Sequence, residues 1–297
     1  MNTGQYIRFD WAARRILRDK ANFGVLEGFV TVLLGFPVKI VDILESEGNQ
    51  DSQDSKFNRV DIMARNHRDE LIIVEIQLSR QVHYMERILF GVGKALTDNI
   101  NSEEGYGKVK KIYSISNLYF DFGEGSDYVY HGQTTFKGVH TGDFFRMSPR
   151  ERESLGMRSP EDVFPEYFLI RVNEFNKVAS TPLEEWIEYL KSGNVRNDTN
   201  TPGLKVAREK LQYISMSNDE KRAYNHYLDN LMIEKDCLDT AKTEGIDEGI
   251  AIGIKEGKAI GIEEGKLEIA RNLKAMGMPA ENIASATGLP IETILGL

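Results

Sequence analysis

The sequence predicts an α/β fold followed by a helical extension, on three observations. Helix-like and strand-like apolar periodicities succeed one another up to about residue 120 in the order helix, three strands, helix, strand. Two of the strand-like runs, "NRVDIMAR" and "ELIIVEIQLS", flank a turn-like cluster, "NHRD", at residues 66–69. From about residue 181 onward the pattern is helical only.

In order, "DWAARRILRD" and "NFGVLEGFVTVLLG" read as helices. In the second, Phe23, Leu26, Val30, Leu33 and Leu34 recur at helical spacing, and Gly35 and Pro37 stop it. "VKIVDILES" is a strand, "EGNQDSQDSK" a polar loop, and the two strands around "NHRD" follow. A helix runs from about Val82 to Ile100 with Met85, Leu89, Val92 and Leu96 on one face. "KVKKIYSISNLYF" is the next strand. After a glycine-rich loop, "DFGEGSDYVYHGQ", the segments "TTFKGVHTG" and "YFLIRVNEF" read as further strands. "TPLEEWIEYLKSG" is a helix with Thr181 as N-cap and Pro182 at its first position.

Residues 245–268 repeat an octad, "GIDEGIAI", "GIKEGKAI", "GIEEGKLE", with glycine at every fourth position from Gly245 to Gly265. Each glycine costs a helix about 1 kcal/mol relative to alanine, and a spacing of four drifts ~40° per step around a 3.6-residue helix. A flexible acidic linker or weak helix is one reading; a helix packing through its small residues on a second copy of the chain is the other. The last segment, 269–297, predicts short helices broken at Gly277 and Gly288, with Ile269, Leu273, Ile283, Ala284, Leu289 and Ile294 as their shared core. It resembles a helix-turn-helix unit. Yet Arg271 and Lys274 are balanced by Glu281 and Glu292, and "PIETILGL" has few side chains to read base edges, which favours packing or assembly over DNA reading. The expected divisions are 1–180, a helical extension 181–244, the repeat 245–268 and the tail 269–297.

With 297 residues, 41% hydrophobic and 28% charged, the chain has the composition of a soluble globular protein of one large domain or two. No window reaches the ~18 apolar residues of a membrane span. The opening "MNTGQYIRFDWAARRILRDK" lacks the apolar core of a secretory signal. A single Cys237 excludes an internal disulfide and a multi-cysteine zinc site. A cytoplasmic location with no membrane partner is expected. Of the net charge of −9, the stretch Glu234–Glu268 carries −5, from ten acidic and five basic residues, so the other 262 residues share −4. The N-terminal part therefore has room for a local basic groove.

The informative anomaly is a carboxylate in an apolar strand, Glu75 in "LIIVEIQL". Alternation puts Leu71, Ile73, Glu75 and Gln77 on one face and Ile72, Val74, Ile76 and Leu78 on the other. If "NHRD" is a four-residue hairpin loop, Arg65 faces Glu70 and Asp61 lies opposite Val74. A bulge, or a loop one residue different, sets Asp61 directly opposite Glu75, with Cβ atoms ~5 Å apart. Two carboxylates in an apolar sheet repel each other and lose hydration. A divalent cation compensates, and Mg²⁺ is commonly held by one or two carboxylates with waters and substrate phosphates. On spacing alone, an edge-strand or salt-bridged role beside Arg59, Arg80 or Arg87 stays open.

These elements resemble the PD-(D/E)XK nuclease superfamily, specifically its recombination-promoting nuclease and transposase branch. "FDWAARRILRDKANFGVLEGFV" is similar to that branch's opening, "KFNRVDIMARN" to its Asp strand, "LIIVEIQLS" to its Glu-x-Gln strand and "HYMERILFGVGKAL" to the helix that follows. The similarity spans about residues 6–175, and the glycine repeats and helical tail resemble the branch's C-termini. The resemblance implies a restriction-endonuclease-like core, an α-β-β-β-α-β mixed sheet flanked by helices, acting as a Mg²⁺- or Mn²⁺-dependent DNA endonuclease. It implies metal binding by Asp61, Glu75 and the backbone carbonyl of Ile76, with Glu27 as the extra helix acid some members use. Gln77 stands where the wider superfamily has lysine. An ammonium can stabilise developing phosphorane charge and lower the pKa of an attacking water, whereas an amide only orients.

Arg80 and Arg87, seven residues apart, and the cluster Lys108, Lys110 and Lys111 are candidates for contacts to DNA phosphates, with ordinary surface roles as the alternative. The rival reading of the chain is a non-catalytic DNA-binding or assembly protein that retains the nuclease fold; a regulator acting through the C-terminal repeat is a third. A homo-oligomer formed through the C-terminal helical and glycine-repeat region is the partner that region suggests. "HRD" at 67–69 and "DFGEG" at 121 lack the context of a kinase, and His131 and His140 read as loop histidines.

Overall fold

A mixed sheet is built from β1 (Ile40–Leu44), β2 (Ile62–Asn66), β3 (Leu71–Gln77), β4 (Ile112–Leu118), β5 (Val129–Gln133) and β6 (Glu166–Arg171). The structure, a computed structural model, describes residues 8–15, 20–44, 62–100, 106–154, 156–212 and 216–297. The strand order is β1-β2-β3-β4-β6-β5. β1, β2 and β3 form an antiparallel meander; β4 runs parallel to β3, β6 parallel to β4, and β5 closes the edge antiparallel to β6. Between β3 and β4 the chain passes through α3 (Tyr84–Asp98), the crossover that a parallel pair requires.

α3 covers the face on which Leu71 and Ile73 lie, where they form one core with Val92, Ala95 and Ile112. Ile72, Val74 and Ile76, of opposite parity, are buried as well. β3 is therefore covered on both faces, which is why its sequence reads as a continuous apolar run. The helix is turned relative to the predicted face: Tyr84, Ile88, Val92 and Ala95 are inside, while Met85 is 52% and Leu89 65% exposed. Both stripes have helical spacing. The buried one brings the Tyr84 hydroxyl to a polar partner on β3, described below.

A second core joins α1 (Phe9–Arg15), α2 (Phe23–Leu34), α6 (Pro182–Ser192) and α7 (Leu204–Lys210). The rings of Phe9, Phe29, Trp186 and Tyr189 meet edge-on or tilted at 5.2–6.3 Å between centroids. α2 and the turn before α7 approach so closely that a Cβ on Gly28 would lie 2.2 Å from the Gly203 Cα, and Gly203 itself holds a φ of 80°. α6 begins as predicted, with a capping box between Thr181 and Glu184 and Pro182 in the first turn, and ends on left-handed Gly193.

"TTFKGVHTG" forms no strand; it contributes a single bridge, Lys137 to Phe144. The edge strand is instead β5, inside the segment read as a loop. Its residues are only half-buried or exposed, so pairing with β6 defines it and its own pattern does not. Two short capped helices, α4 (Pro149–Glu153) and α5 (Pro160–Val163), lead into β6.

The chain divides into two compact units, Met1–Lys221 and Arg222–Leu297. The octad repeat is helical, lying within α8 (Asn218–Ala275). Ile, Glu, Lys and Ala stand between most of the glycines, none of them a helix breaker, so the glycines weaken α8 without interrupting it. In the second unit the end of α8 packs with α9 (Ala280–Thr287) and α10 (Ile291–Gly296) around Ala270, Ile283, Leu289 and Ile294, with Leu273 and Ala284 partly buried. Left-handed Gly277 and Gly288 make the breaks. Ile269, expected in this core, is 53% exposed; Ala270, one position round the helix, takes the inward place because its small side chain admits the neighbouring helices. Among the described residues no helix is long and apolar enough to cross a membrane.

Candidate active site

The site begins with the hairpin that sets the register of β3. Asn66 N–H donates to the Glu70 carbonyl (3.0 Å), closing a loop of three residues, His67–Asp69. The Asn66 side chain accepts from the Arg68 and Glu70 N–H groups (2.9 Å each) and donates to the Glu70 carboxylate (2.7 Å), while Asp69 adopts a left-handed φ of 61°. Asn and Asp tolerate and organise such turns through their short polar side chains. The loop is one residue shorter than "NHRD", so Arg65 faces Leu71 and Ile62 faces Val74. This is the register for which the sequence sets position 61 against position 75. Asp61 itself lies outside the described residues.

Glu75 is 5% and Gln77 8% exposed, near the C-terminal end of β3 on the α3 side. The Tyr84 hydroxyl donates to the Glu75 carboxylate (3.5 Å). Burial and then the neighbouring Glu75 charge push the Tyr84 phenol well above its ordinary range. Gly91 lies over the carboxylate, where a Cβ would stand 4.0 Å from Oε1. Across the parallel ladder Glu75 is in register with Ser116, and Ile76 with Asn117. Asn117 donates to the Glu75 backbone carbonyl (3.2 Å). Ser116 Oγ and Asn117 Oδ1 are buried without a hydrogen-bond partner, the kind of unsatisfied polar atom that native cores rarely leave outside functional sites.

Gln77 is held at both ends of its amide. Nε2 donates to the Ser79 carbonyl (2.9 Å), and Oε1 accepts from Arg87 Nη1 (3.2 Å), which also donates to Gln81 Oε1 (2.8 Å). Arg87, expected to face phosphates, thus points one of its nitrogens into the Glu-x-Gln strand. Arg80 is exposed, as a surface contact requires.

The remaining candidates are engaged elsewhere. Glu27 ties α2 to β1: its carboxylate accepts from Ile40 N–H (2.8 Å) and Lys39 Nζ (3.0 Å). Lys110 pairs with Asp69 (3.0 Å) at the hairpin loop. Lys108 is exposed. Lys111 is not a surface contact: it is 4% exposed, and its ammonium pairs with Glu166 (2.8 Å) and donates to the carbonyls of Phe164 (2.7 Å) and Glu161. The adjacent lysines fall on opposite sides of the β4 start, and burial forces one of them to find protein acceptors.

Tyr84 and Ser116 escaped the sequence reading. Ser116 carried the same signal as Glu75, a polar residue in the middle of the apolar strand "IYSISNL". Tyr84 was hidden because an aromatic in a helical stripe reads as core. Among the described residues no cluster of three or more His, Cys, Asp or Glu side chains occurs. The donors present at the end of β3 are oxygens of a carboxylate, main-chain carbonyls, an amide and a hydroxyl. That set suits a hard cation such as Mg²⁺ rather than a thiolate- or imidazole-seeking metal, and a buried carboxylate beside an orphaned hydroxyl fits such an ion.

A mixed sheet of this order, with a Glu-x-Gln strand at its centre and helices on its flanks, defines a restriction-endonuclease-like α/β fold with a helical C-terminal part. Residues 7–148, a little under half of the chain, match the model of the family described as PD-(D/E)XK nuclease family transposase. The matched segment contains every site residue named above except the partners of Lys111 on and before β6. Comparison with curated proteins and with solved structures finds no significant match.

Proposed function

We propose that this chain is a metal-dependent DNA endonuclease, using Mg²⁺ or Mn²⁺ to hydrolyse phosphodiester bonds in a cytoplasmic role tied to recombination or transposition. The observation that carries the reading is the buried Glu75 with Gln77 beside it on β3, in a hairpin whose described register begins with Ile62 opposite Val74. The family match over residues 7–148 supports the nuclease class.

In this reading Asp61, Glu75 and the Ile76 carbonyl hold the cation, which when bound supplies charge neutralisation at the scissile phosphate and acidifies a water. The chain's own groups do the rest. Gln77, fixed at both ends, retains one N–H and one lone pair to orient the attacking water. The Tyr84 hydroxyl keeps the Glu75 carboxylate in one rotamer and stays protonated, because its phenol is pushed upward. Arg80, exposed beyond the end of β3, contacts the DNA backbone.

The test is cleavage of supercoiled plasmid by wild type, Asp61→Ala and Glu75→Ala with Mg²⁺, Mn²⁺ or EDTA. Wild type is expected to nick or linearise the plasmid with either metal and to stop in EDTA, and both variants to be inactive. Cleavage that survives in EDTA or in either variant removes the assigned site.

A further inference from the structure

We infer that Arg87 is the positioning residue of this site: it locks the Gln77 amide and brings to it the positive charge that glutamine lacks. The inference rests on the nuclease reading above for its catalytic consequence, though not for its geometry.

The argument starts from hydrogen-bonding chemistry. A guanidinium only donates and a main-chain carbonyl only accepts. With Arg87 Nη1 on one end of the Gln77 amide and the Ser79 carbonyl on the other, the amide has one satisfied orientation: oxygen toward Arg87, nitrogen toward Ser79. Flipping it would set donor against donor and acceptor against acceptor. Arg87 is itself anchored by the amide oxygen of Gln81, which precedes the helix. The helix makes the placement possible. Tyr84 and Arg87 are three residues apart on α3, so both reach the β3 face that carries Glu75 and Gln77.

The charge matters as much as the orientation. Gln77 is 8% exposed and Arg87 half-buried, so the guanidinium is only partly screened by water. A neutral amide polarised by a guanidinium donates a stronger hydrogen bond through its remaining N–H. The pair Gln77–Arg87 thus performs from strand and helix what a single lysine at position 77 would perform from the strand. A phosphate contact, the role the sequence suggested for Arg87, makes a different prediction: it acts on DNA binding and leaves the Gln77 amide alone.

The experiment uses the full-length chain with Arg87→Gln, Arg87→Lys, and Gln77→Lys combined with Arg87→Gln, each checked for an unchanged circular dichroism spectrum. In metal-free protein, the Gln77 side-chain amide protons are assigned by ¹⁵N NMR through their loss in Gln77→Leu. Arg87→Gln is expected to collapse them toward free-glutamine positions and speed their exchange at least about tenfold, with Arg87→Lys in between. Unchanged Gln77 resonances in Arg87→Gln overturn the inference, whatever the protein cleaves. In plasmid cleavage, kcat is expected to fall ~10–100-fold in Arg87→Gln, with KM and the salt dependence of DNA binding in Ca²⁺ unaltered, and the double variant to recover most of the loss. A raised KM and a flatter salt slope at unchanged kcat also overturn it, in favour of a phosphate contact. If wild type itself fails to cleave, the nuclease reading falls, and the NMR comparison still decides whether Arg87 positions Gln77.

Discussion

The N-terminal end of the parallel strands β3, β4 and β6 and the C-terminal end of β3 treat charge in opposite ways. At the N-terminal end, ionised groups meet ionised groups: Lys111 with Glu166, Glu166 with His131, Lys110 with Asp69, Asp69 with Arg65. At the C-terminal end of β3, charged groups meet dipoles: the Glu75 carboxylate takes the Tyr84 hydroxyl, and Arg87 takes the amide oxygens of Gln77 and Gln81. Two buried oxygens there, on Ser116 and Asn117, have no hydrogen-bond partner. Ion pairs at one end hold strands together, while at the other a buried carboxylate and an arginine engage neutral polar groups. Open α/β sheets bind ligands at the carboxyl ends of their strands, and the proposed site lies at that end of β3.

The contrast is sharpest at Glu75. Glu75→Gln is expected to lower cleavage at least about 10³-fold, ~4 kcal/mol of barrier, while leaving the melting temperature unchanged or raised. The gain in stability follows from no longer burying a carboxylate in a metal-free fold. Plasmid nicking beside a thermal melt, both in EDTA-treated and metal-loaded protein, checks both halves. A melt several degrees lower would make Glu75 a structural charge like those at the other end and would break the contrast.

Lys111→Met is the mirror experiment. Removing the ammonium leaves the Glu166 carboxylate and two carbonyls short of a donor, so unfolding in urea should lose about 3 kcal/mol. Cleavage per folded molecule should not change. The pair is screened little by solvent, so the loss should persist at high salt. Reduced cleavage at full stability would instead move Lys111 into the working end.

How far the sequence disclosed this division differs from residue to residue. Glu75 and Gln77 announced themselves by polarity within an apolar strand, and their common face followed from alternation alone. The element order, the capping of α6 and the glycine breaks of the tail were likewise local signals. What failed was anything decided by rotation or by pairing. The inward stripe of α3 and the choice of Ala270 over Ile269 each turn on one step around a helix, about 100°, which hydrophobic spacing resolves poorly when two stripes coexist. β5 is an edge strand created by its neighbour's backbone. The roles of Lys110 and Lys111 diverge because burial differs between adjacent residues, and no one-residue property records that.

Tyr84→Phe probes the contrast more gently. It removes one hydrogen bond to Glu75 without opening a cavity, so a five- to tenfold loss of cleavage, about 1 kcal/mol, is expected. The same variant carries a pH signature. Because burial and Glu75 raise the folded phenol above its unfolded value, Tyr84 contributes stability that is complete below pH ~10, the ordinary tyrosine value, and is lost as the pH climbs through the raised folded value. Wild type should therefore lose stability relative to Tyr84→Phe only above pH ~10, as read from urea unfolding across alkaline buffers. Parallel curves would mean that neither burial nor the Glu75 carboxylate raises the Tyr84 phenol.

The smallest expected effect comes from the second unit and asks whether a working surface exists there too. At each glycine of the α8 repeat a Cβ would meet open space, with no atom within 4 Å, in contrast to Gly28, whose Cβ would collide with Gly203. In the isolated chain Gly253→Ala should therefore stabilise α8 by about 0.5–1 kcal/mol, because alanine loses less backbone freedom in a helix, and Gly28→Ala should destabilise the first unit. Circular dichroism melts of the two variants measure both signs. If Gly253→Ala lowers the melting temperature, and more so at high protein concentration, the repeat packs against a second copy through its glycines, and the open face of α8 is the working surface of its unit as the end of β3 is of the first.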